Sequence, residues 1–408
     1  MNKAKLALAI GAGIEQLGGI RKAQKMGYRV LALDGSAKAP GLCLADEARV
    51  VDLRDEHAVV SIAREAGVTF TLPLPIGRIL TTQGAVNDAL GLLGVTRKSA
   101  SFCTDKALFN RLLRNAGISL PSQQNFTNSE SLCLEDGLSW PYPVVLKPSH
   151  GAGSRGVRVL RNRTEWLQLK LLFEAHRSLY EDGAVVEAFI DGKVLGIDGA
   201  VVNSKAIITL IREKLMTPLP YRVELAYRAP ALLSSKAVDQ IDTVFQLAVN
   251  ALGLDNCVFH SDAIWTMENE LVIIELSARP AGLMITQKMV PACKGIDFIS
   301  EAILLSLTGS GNFASTHERP TLLHYWYHRD GRVCCVPTID QLISLPNVIS
   351  AEIGVKQGDV MTLPKSVSEL LPNGYILLSA DSWVEIETIM QKAASLFKIT
   401  HYEPIKSD

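Results

Sequence analysis

The chain predicts an α/β protein that passes into α+β architecture, and three observations carry that expectation. Residues 1–97 alternate short apolar strands with helices, the pattern of a parallel sheet covered on both faces. The middle of the chain holds a Gly-rich loop between two apolar runs and a second pair of apolar runs split by a polar break, both of which read as antiparallel pairs. Beyond Gly309-Ser-Gly311 a separate segment adds strands near Leu322–His328, Arg332–Pro337 and Tyr375–Ala380, then an amphipathic helix over Ser382–Phe397. With 408 residues, 48% of them hydrophobic, the chain is long enough for two or three cores.

In order, Lys5–Ile10 reads as a buried strand, Glu15–Met26 as a helix, and Arg29–Leu33 as a strand ending at Asp34. Ala48–Asp52 and Phe70–Leu74 are further strands, with helices over Glu56–Ala66 and Thr81–Leu92. A helix over Thr104–Ala116, with Thr104 as the candidate cap, is closed by Gly117 and stopped near Pro121. Strands follow at Tyr142–Lys147, Val157–Leu160, Val185–Ile190, Leu195–Asn203 and Lys205–Arg212, then a helix over Ala237–Leu252.

Composition narrows the function classes. The 41 basic and 42 acidic residues leave a formal charge of −1, and no long block of Lys and Arg occurs. Nucleic-acid binding is therefore not the default, although an embedded basic patch stays open. The seven cysteines include no CxxC, and the only close pair is Cys334-Cys335. That usage suits a reducing compartment better than a disulfide framework or a zinc site. The apolar N-terminal run meets Gly11 and Gly13 and then Glu15-Gln16, and reads as a first strand rather than a signal peptide. No apolar run approaches ~18 residues, so a cytoplasmic protein without a membrane span is expected.

Gly11-Ala-Gly13 with Asp34 downstream invites comparison with a dinucleotide fingerprint. The third glycine of that pattern is Gln16 here, and Gly18 comes two residues late, so close strand–helix packing is favoured over a nicotinamide or flavin site. A redox module is the alternative of another class.

The densest chemistry lies in Val258–Gly282. If Glu268-Asn269 is the loop of a hairpin, Asp262 stands opposite Glu275. His260 and Asp262 then share a face with Glu275, Ser277 and Arg279. Facing acids repel unless a cation sits between them, and oxygen ligands suit Mg²⁺ working with phosphates. Arg279 would then hold the charge of a transferring phosphoryl group. A half-solvated hairpin with ordinary surface charges is the plainer reading.

Upstream, the loop His150-Gly-Ala-Gly-Ser-Arg-Gly156 lets backbone N–H groups approach a phosphate, or is a plain Gly-rich turn. Lys147 ends an otherwise buried strand and should find an anion or reach water. Lys106 has less context, and a solvated helix lysine is its plainer reading. Glu187 interrupts an apolar run, either to bond a ligand or as an edge-strand charge.

Together the lysine-ended strand, the Gly-rich loop, the apolar strand with Glu187 and the paired-acid hairpin ending in Ala278-Arg-Pro-Ala-Gly282 resemble the ATP-grasp superfamily. The resemblance covers nearly the whole chain, and leans toward its carboxylate–amine, L-amino acid ligase-like members. It implies a Rossmann-like domain over 1–97, a first ATP-grasp lobe with the lid over 98–184, a second lobe with the metal site over 185–312, and a C-terminal α+β domain over 313–408. It implies that Lys106 and Lys147 contact ATP phosphates and that Gly151, Gly153, Ser154 and Gly156 form the lid. By the same resemblance, Glu187, Phe189 and Ile190 line the adenine hinge, with backbone groups of the latter two available to the base. Asp262, Glu275 and Ser277 are the expected ligands of Mg²⁺, with Mn²⁺ as the alternative ion, and Arg279 steadies the phosphoryl group or acyl phosphate. This chain departs from the pattern at three places: Asp262 where Glu is frequent, Ser277 where Asn is frequent, and Val194 where many members have a ribose-binding Glu.

The expected activity is an ATP-dependent ligation of a carboxylate to an amine through an acyl phosphate, on amino-acid substrates that form a dipeptide or related amide. A purine-biosynthesis enzyme and a bicarbonate-using carboxylase are the alternatives within the superfamily. Ile211–Glu224, with mixed charge and two prolines, is the candidate substrate loop, and Lys214, Arg222 and Glu224 its candidate contacts. A solvent-facing loop fits equally. His260 either orients a ligand, acts on the amine proton, or is structural. Small-molecule partners, no nucleic acid and no membrane are expected, and a homodimer stays open.

Overall fold

A computed structural model describes residues 5–149, 155–171 and 177–400. It divides into two compact units, the first formed by Met1–Leu120, Leu195–Ile211 and Leu233–His317. The second is formed by Pro121–Val194, Arg212–Leu232 and Glu318–Asp408. No helix among the described residues is long and apolar enough to cross a membrane.

The first unit opens with the expected parallel sheet, in the order Glu47–Val50, Arg29–Asp34, Leu6–Ile10, Phe70–Thr71. Its strands are apolar on both faces because helices cover both, and Leu8, Ile10, Leu31, Leu33, Val59 and Val86 share one core. The Gly11–Gly13 turn is a packing device. Asp34 accepts hydrogen bonds from the Ala12 and Ser36 N–H groups at 2.8 Å each, so its carboxylate closes the turn. The helix expected from Glu15 begins as a short 3₁₀ turn, Ile14–Gln16, and becomes α-helical over Leu17–Lys25.

Downstream, the helix expected over Thr104–Ala116 is present as Lys106–Asn115, and an unexpected helix precedes it. Arg97–Thr104 is a helix capped by Thr96, and Lys106–Asn115 is a second, capped by Asp105, whose side chain accepts from Leu108 N–H. Asp105 therefore takes the capping role assigned to Thr104, because a carboxylate at that position meets the orphan N–H groups of the new helix. The first unit also contains the Ser235–Leu252 helix, closed by Gly253 at φ +60°. Phe245 on this helix stacks on Phe259 at 5.5 Å between centroids, which seats the helix against the site strand.

The second unit holds an antiparallel sheet in the order Gln123–Phe126, Ala184–Ala188, Val144–Pro148, Arg158–Leu160. One face rests on Leu132, Trp140, Trp166 and Tyr180, with the two indoles 4.9 Å apart. The Lys205–Met216 strand is longer than expected and, in its second half, pairs antiparallel with Glu224–Ala229. That strand pairs with Thr321–Tyr325, which continues through Gly374–Ser379 to Val348–Ile353. Whereas Asp330–Cys335 pairs in a separate three-stranded sheet, three of the C-terminal strands thus join the sheet that carries Lys214. His324 in this sheet stacks on Tyr327 at 5.4 Å, and its enclosed Nδ1 has no hydrogen-bond partner. Burial alone pulls its imidazole down to about 4.

Candidate active site

The site in the first unit is built on the hairpin of Cys257–Trp265 and Leu271–Ser277. The expected pairings are present at its open end: His260 opposite Ser277 and Asp262 opposite Glu275. The tip differs. Trp265 pairs with Leu271, and Thr266 N–H donates to Glu270 C=O at 2.9 Å, so the loop is Met267–Asn269 with Asn269 at φ +63°. The register shifts between Asp262 and Ala263, leaving Ile274 as a bulge residue on the facing strand. The bulge offsets the longer loop, so the acids face each other although the turn is not the one expected. Ser261 Oγ donates to the Glu275 carbonyl at 2.5 Å and pins the pair beside the bulge.

One ligand atom from each of His260, Asp262 and Glu275 lies within 4.8 Å of the other two. Two ligands on a common Mg²⁺ at 2.0–2.1 Å would lie no more than about 4.2 Å apart, so a small side-chain rotation closes the set. The donor set is carboxylate-rich and suits Mg²⁺ or Mn²⁺. His260 is buried and held from both sides: Nδ1 lies 3.2 Å from Asp198 Oδ1 and Nε2 lies 3.2 Å from Asp262 Oδ1. An imidazole set between two carboxylates restricts how Asp262 can turn. Asp198 was not singled out from the sequence. Its signal is there: an acid in the middle of the apolar run Val194–Val202, fully buried, has to meet a partner.

After Ser277 the chain turns sharply. Arg279 N–H donates to Ser277 C=O at 2.8 Å, and the Arg279 guanidinium donates to Pro280 C=O at 3.1 Å. Leu283 and Met284 both adopt positive φ, at +57° and +63°, unusual for large side chains. Glu15 holds this strained turn, accepting from Leu283 N–H at 2.8 Å and, by its carbonyl, from Gln287 at 3.1 Å. A π-helical turn, Ile285–Met289, follows. Strained residues and π-turns concentrate at functional sites, and here they begin four residues after Arg279. Behind it, burial pushes the Cys103 thiol up to about 12, against the opposing pull of Ala278 N–H and the Arg279 charge. Lys106 lies half-buried in the first turn of its helix.

In the second unit Lys147 and Glu187 form an ion pair of 2.6 Å, with side chains only 12% and 8% exposed. Glu187 is on an internal strand, between Gln123–Phe126 and Val144–Pro148, so it is not an edge charge. Its position beside Val145 lets it hold the Lys147 ammonium at the strand end. Phe189 N–H is also committed, donating to Pro143 C=O at 3.0 Å in continuation of the ladder between these two strands. Ile190 is half-buried beside it. Gly156 sits at φ +75°, where a Cβ would come within 3.0 Å of the Pro148 ring. Gly151, Gly153 and Ser154 lie outside the described residues.

The substrate segment is corrected most. Lys214 and Glu224 stand on paired strands rather than in a loop, and the loop is only Thr217–Val223. They form an ion pair of 2.9 Å with side chains 3% and 14% exposed, which excludes a solvent-facing loop with incidental charge for these two. Arg222 places its guanidinium over the Phe189 ring at 5.9 Å, and burial pulls its pKa below the ordinary range. Arg212, two residues before Lys214 on the same strand face, is 2% exposed and lies over the Tyr227 ring at 5.3 Å. Sequence reasoning passed over it because a single arginine near a strand end gives no periodic signal.

Comparison with known proteins agrees with this architecture. A family model described as an ATP-grasp domain matches residues 140–287. The chain is 28% identical over 318 residues to an uncharacterized protein, y4rH, of Sinorhizobium fredii, covering 76% of this chain and 64% of that protein. It is 28% identical over 172 residues to a D-alanine--D-alanine ligase of Anaplasma marginale, covering 41% of this chain and 48% of the ligase. The chain thus spans about half to two-thirds of the length of these curated relatives. Among solved structures, the L-amino acid ligase from Bacillus licheniformis superposes with a TM-score of 0.79 at 19% identity, covering 99% of this chain and 100% of that one. The fold is that of an ATP-grasp protein with a parallel α/β N-terminal sheet. The ATP-grasp match over residues 140–287 takes in Lys147, Glu187, Asp262, Glu275 and Arg279.

Proposed function

We propose that the protein is an ATP-dependent carboxylate–amine ligase acting on amino acids, forming a peptide or other amide bond and releasing ADP and phosphate. The observation that carries this reading is the cross-strand pair Asp262–Glu275 with Arg279 set four residues on, ahead of a turn that Glu15 braces. The likeness to an L-amino acid ligase and a D-alanine--D-alanine ligase supports it.

Joining a carboxylate to an amine requires a leaving group on the carboxyl carbon. A phosphoryl group from ATP supplies one: the carboxylate oxygen attacks the γ-phosphorus and the β–γ bridging oxygen leaves with ADP. The amine then attacks the acyl carbon and phosphate departs. Both reactants of the first step are anions, so positioning and charge neutralisation dominate the catalysis. Asp262 and Glu275 hold the divalent ion, with Ser277 as a weaker hydroxyl ligand and His260 fixing Asp262. When bound, Mg²⁺ or Mn²⁺ neutralises the phosphate oxygens. Arg279 binds the transferring group, where charge builds in the transition state.

Lys106 and Lys147 are the proposed phosphate contacts, the latter aimed by Glu187. The glycines around Gly156 are the proposed lid, and Phe189 and Ile190 the proposed adenine wall. Lys214, Arg222 and Glu224 are the proposed substrate contacts: cations for a carboxylate, an acid for an ammonium. Location in the cytoplasm accords with ATP use.

An amino-acid pair matrix with ATP and Mg²⁺ tests the reading. At least one pair should release ADP and phosphate together with an amide product detected by mass spectrometry. AMP and pyrophosphate as products, or bicarbonate-dependent ADP release with no amino acid present, would overturn it.

A further inference from the structure

The Asp330–Cys335 strand lies between Val360–Thr362 and Lys398–Thr400 in a small antiparallel sheet. Side chains on such a strand should alternate between its faces. At the adjacent cysteines they do not. Val333 is fully buried in the C-terminal core and Val336 packs against the same core, so two residues rather than one separate the inward positions. Register explains this. Val333 pairs with Ile399 and Cys335 with Lys398, which leaves Cys334 as the extra residue of a bulge. A regular strand would turn one of the two thiols inward; the bulge leaves both exposed.

Each sulfur makes only weak contacts. Cys334 Sγ lies 3.5 Å from Thr400 Oγ1 and 3.7 Å from Arg332 C=O, and Cys335 Sγ lies 3.8 Å from Val336 C=O. Arg332 and Lys398, both exposed, flank the pair with positive charge. Thiols bind soft centres as thiolates.

We propose that Cys334 and Cys335 form a dithiol site for a thiophilic centre that takes two thiolates at once, of the class of monosubstituted trivalent arsenicals. A direct disulfide fits the pair less well. Adjacent Cα atoms are about 3.8 Å apart, short of the usual disulfide span of about 4.4–6.8 Å. A bridging atom lengthens the link between the sulfurs and relieves that mismatch. The chemistry balances without an oxidant: two As–S bonds replace the bonds from arsenic to its oxygen, and the oxygen leaves as water with the two thiol protons.

Phenylarsine oxide added to the full chain tests this, with intact-mass spectrometry and peptide mapping as readouts. In excess glutathione the protein should retain one phenylarsenic group per chain, on the peptide holding residues 334 and 335, and release it to dithiothreitol. C334S and C335S should each weaken retention by about 100-fold or more, because the second thiol then no longer acts intramolecularly. C43S removes another exposed thiol and should leave retention unchanged. Circular dichroism of the variants checks that they fold, and mapping of the unmutated chain does not depend on them. No adduct, an adduct mapped to other cysteines, or undiminished retention by either serine variant overturns the proposal.

Discussion

Asp262→Asn should lower ATP-dependent amide formation by about 10³-fold, the equivalent of about 4 kcal/mol of transition-state charge stabilisation. The change keeps the size of the side chain and leaves His260 Nε2 a partner at the present 3.2 Å contact, so the hairpin should stay folded. What it removes is one of two anionic ligands. Asp262→Glu provides the contrast: it restores the charge with a longer reach and should keep most of the activity. Raising the Mg²⁺ concentration should recover part of the Asn variant's loss, because a weakened site fills by mass action. Steady-state ADP release at several Mg²⁺ concentrations checks all three outcomes. An Asn variant that turns over like the unmutated chain would detach the hairpin from the chemistry.

Arg279→Lys should reduce kcat by about 10²–10³-fold while changing the KM for ATP only a few-fold. Lysine keeps the charge but not the planar fork that meets two phosphoryl oxygens at once. The effect belongs in kcat because the group that Arg279 meets gains its charge distribution only as phosphoryl transfer proceeds. A rise in KM with unchanged kcat would instead make Arg279 a ground-state binding residue. The guanidinium's bond to Pro280 C=O at 3.1 Å argues for the first outcome, since it restricts where the guanidinium starts.

The sequence was most readable where periodicity is strict. The parallel sheet, its helices and the Asp262–Glu275 pairing follow from apolar alternation, and the structure has them. Yet the pairing came out right through two compensating features. The loop is one residue longer than assumed, and the Ile274 bulge restores the register before the acids. A bulge needs no distinctive residue, so apolar alternation alone does not reveal it. The same blindness applies at Cys334, where a second bulge reorients a side chain without a local signal.

Long-range partners were less accessible. Lys147 and Glu187 stood out singly as charges in apolar strands, but they lie forty positions apart and only the register joins them. Lys214 and Glu224 looked like loop residues because two prolines and mixed charge surround them. Tertiary pairing overrode that local appearance and carried the strand through to Met216. Asp198 was visible as a buried acid in waiting, and only the fold names His260 as its partner.

Transfer of ¹⁸O tests the central claim most directly. A carboxylate substrate found in the amino-acid matrix, labelled with ¹⁸O in its carboxyl group, is turned over with ATP and Mg²⁺, and the released phosphate is analysed by mass spectrometry. Activation by phosphoryl transfer predicts one ¹⁸O atom in each phosphate, because the carboxylate oxygen that attacks the γ-phosphorus leaves with it. Unlabelled phosphate alongside labelled amide product would contradict the account.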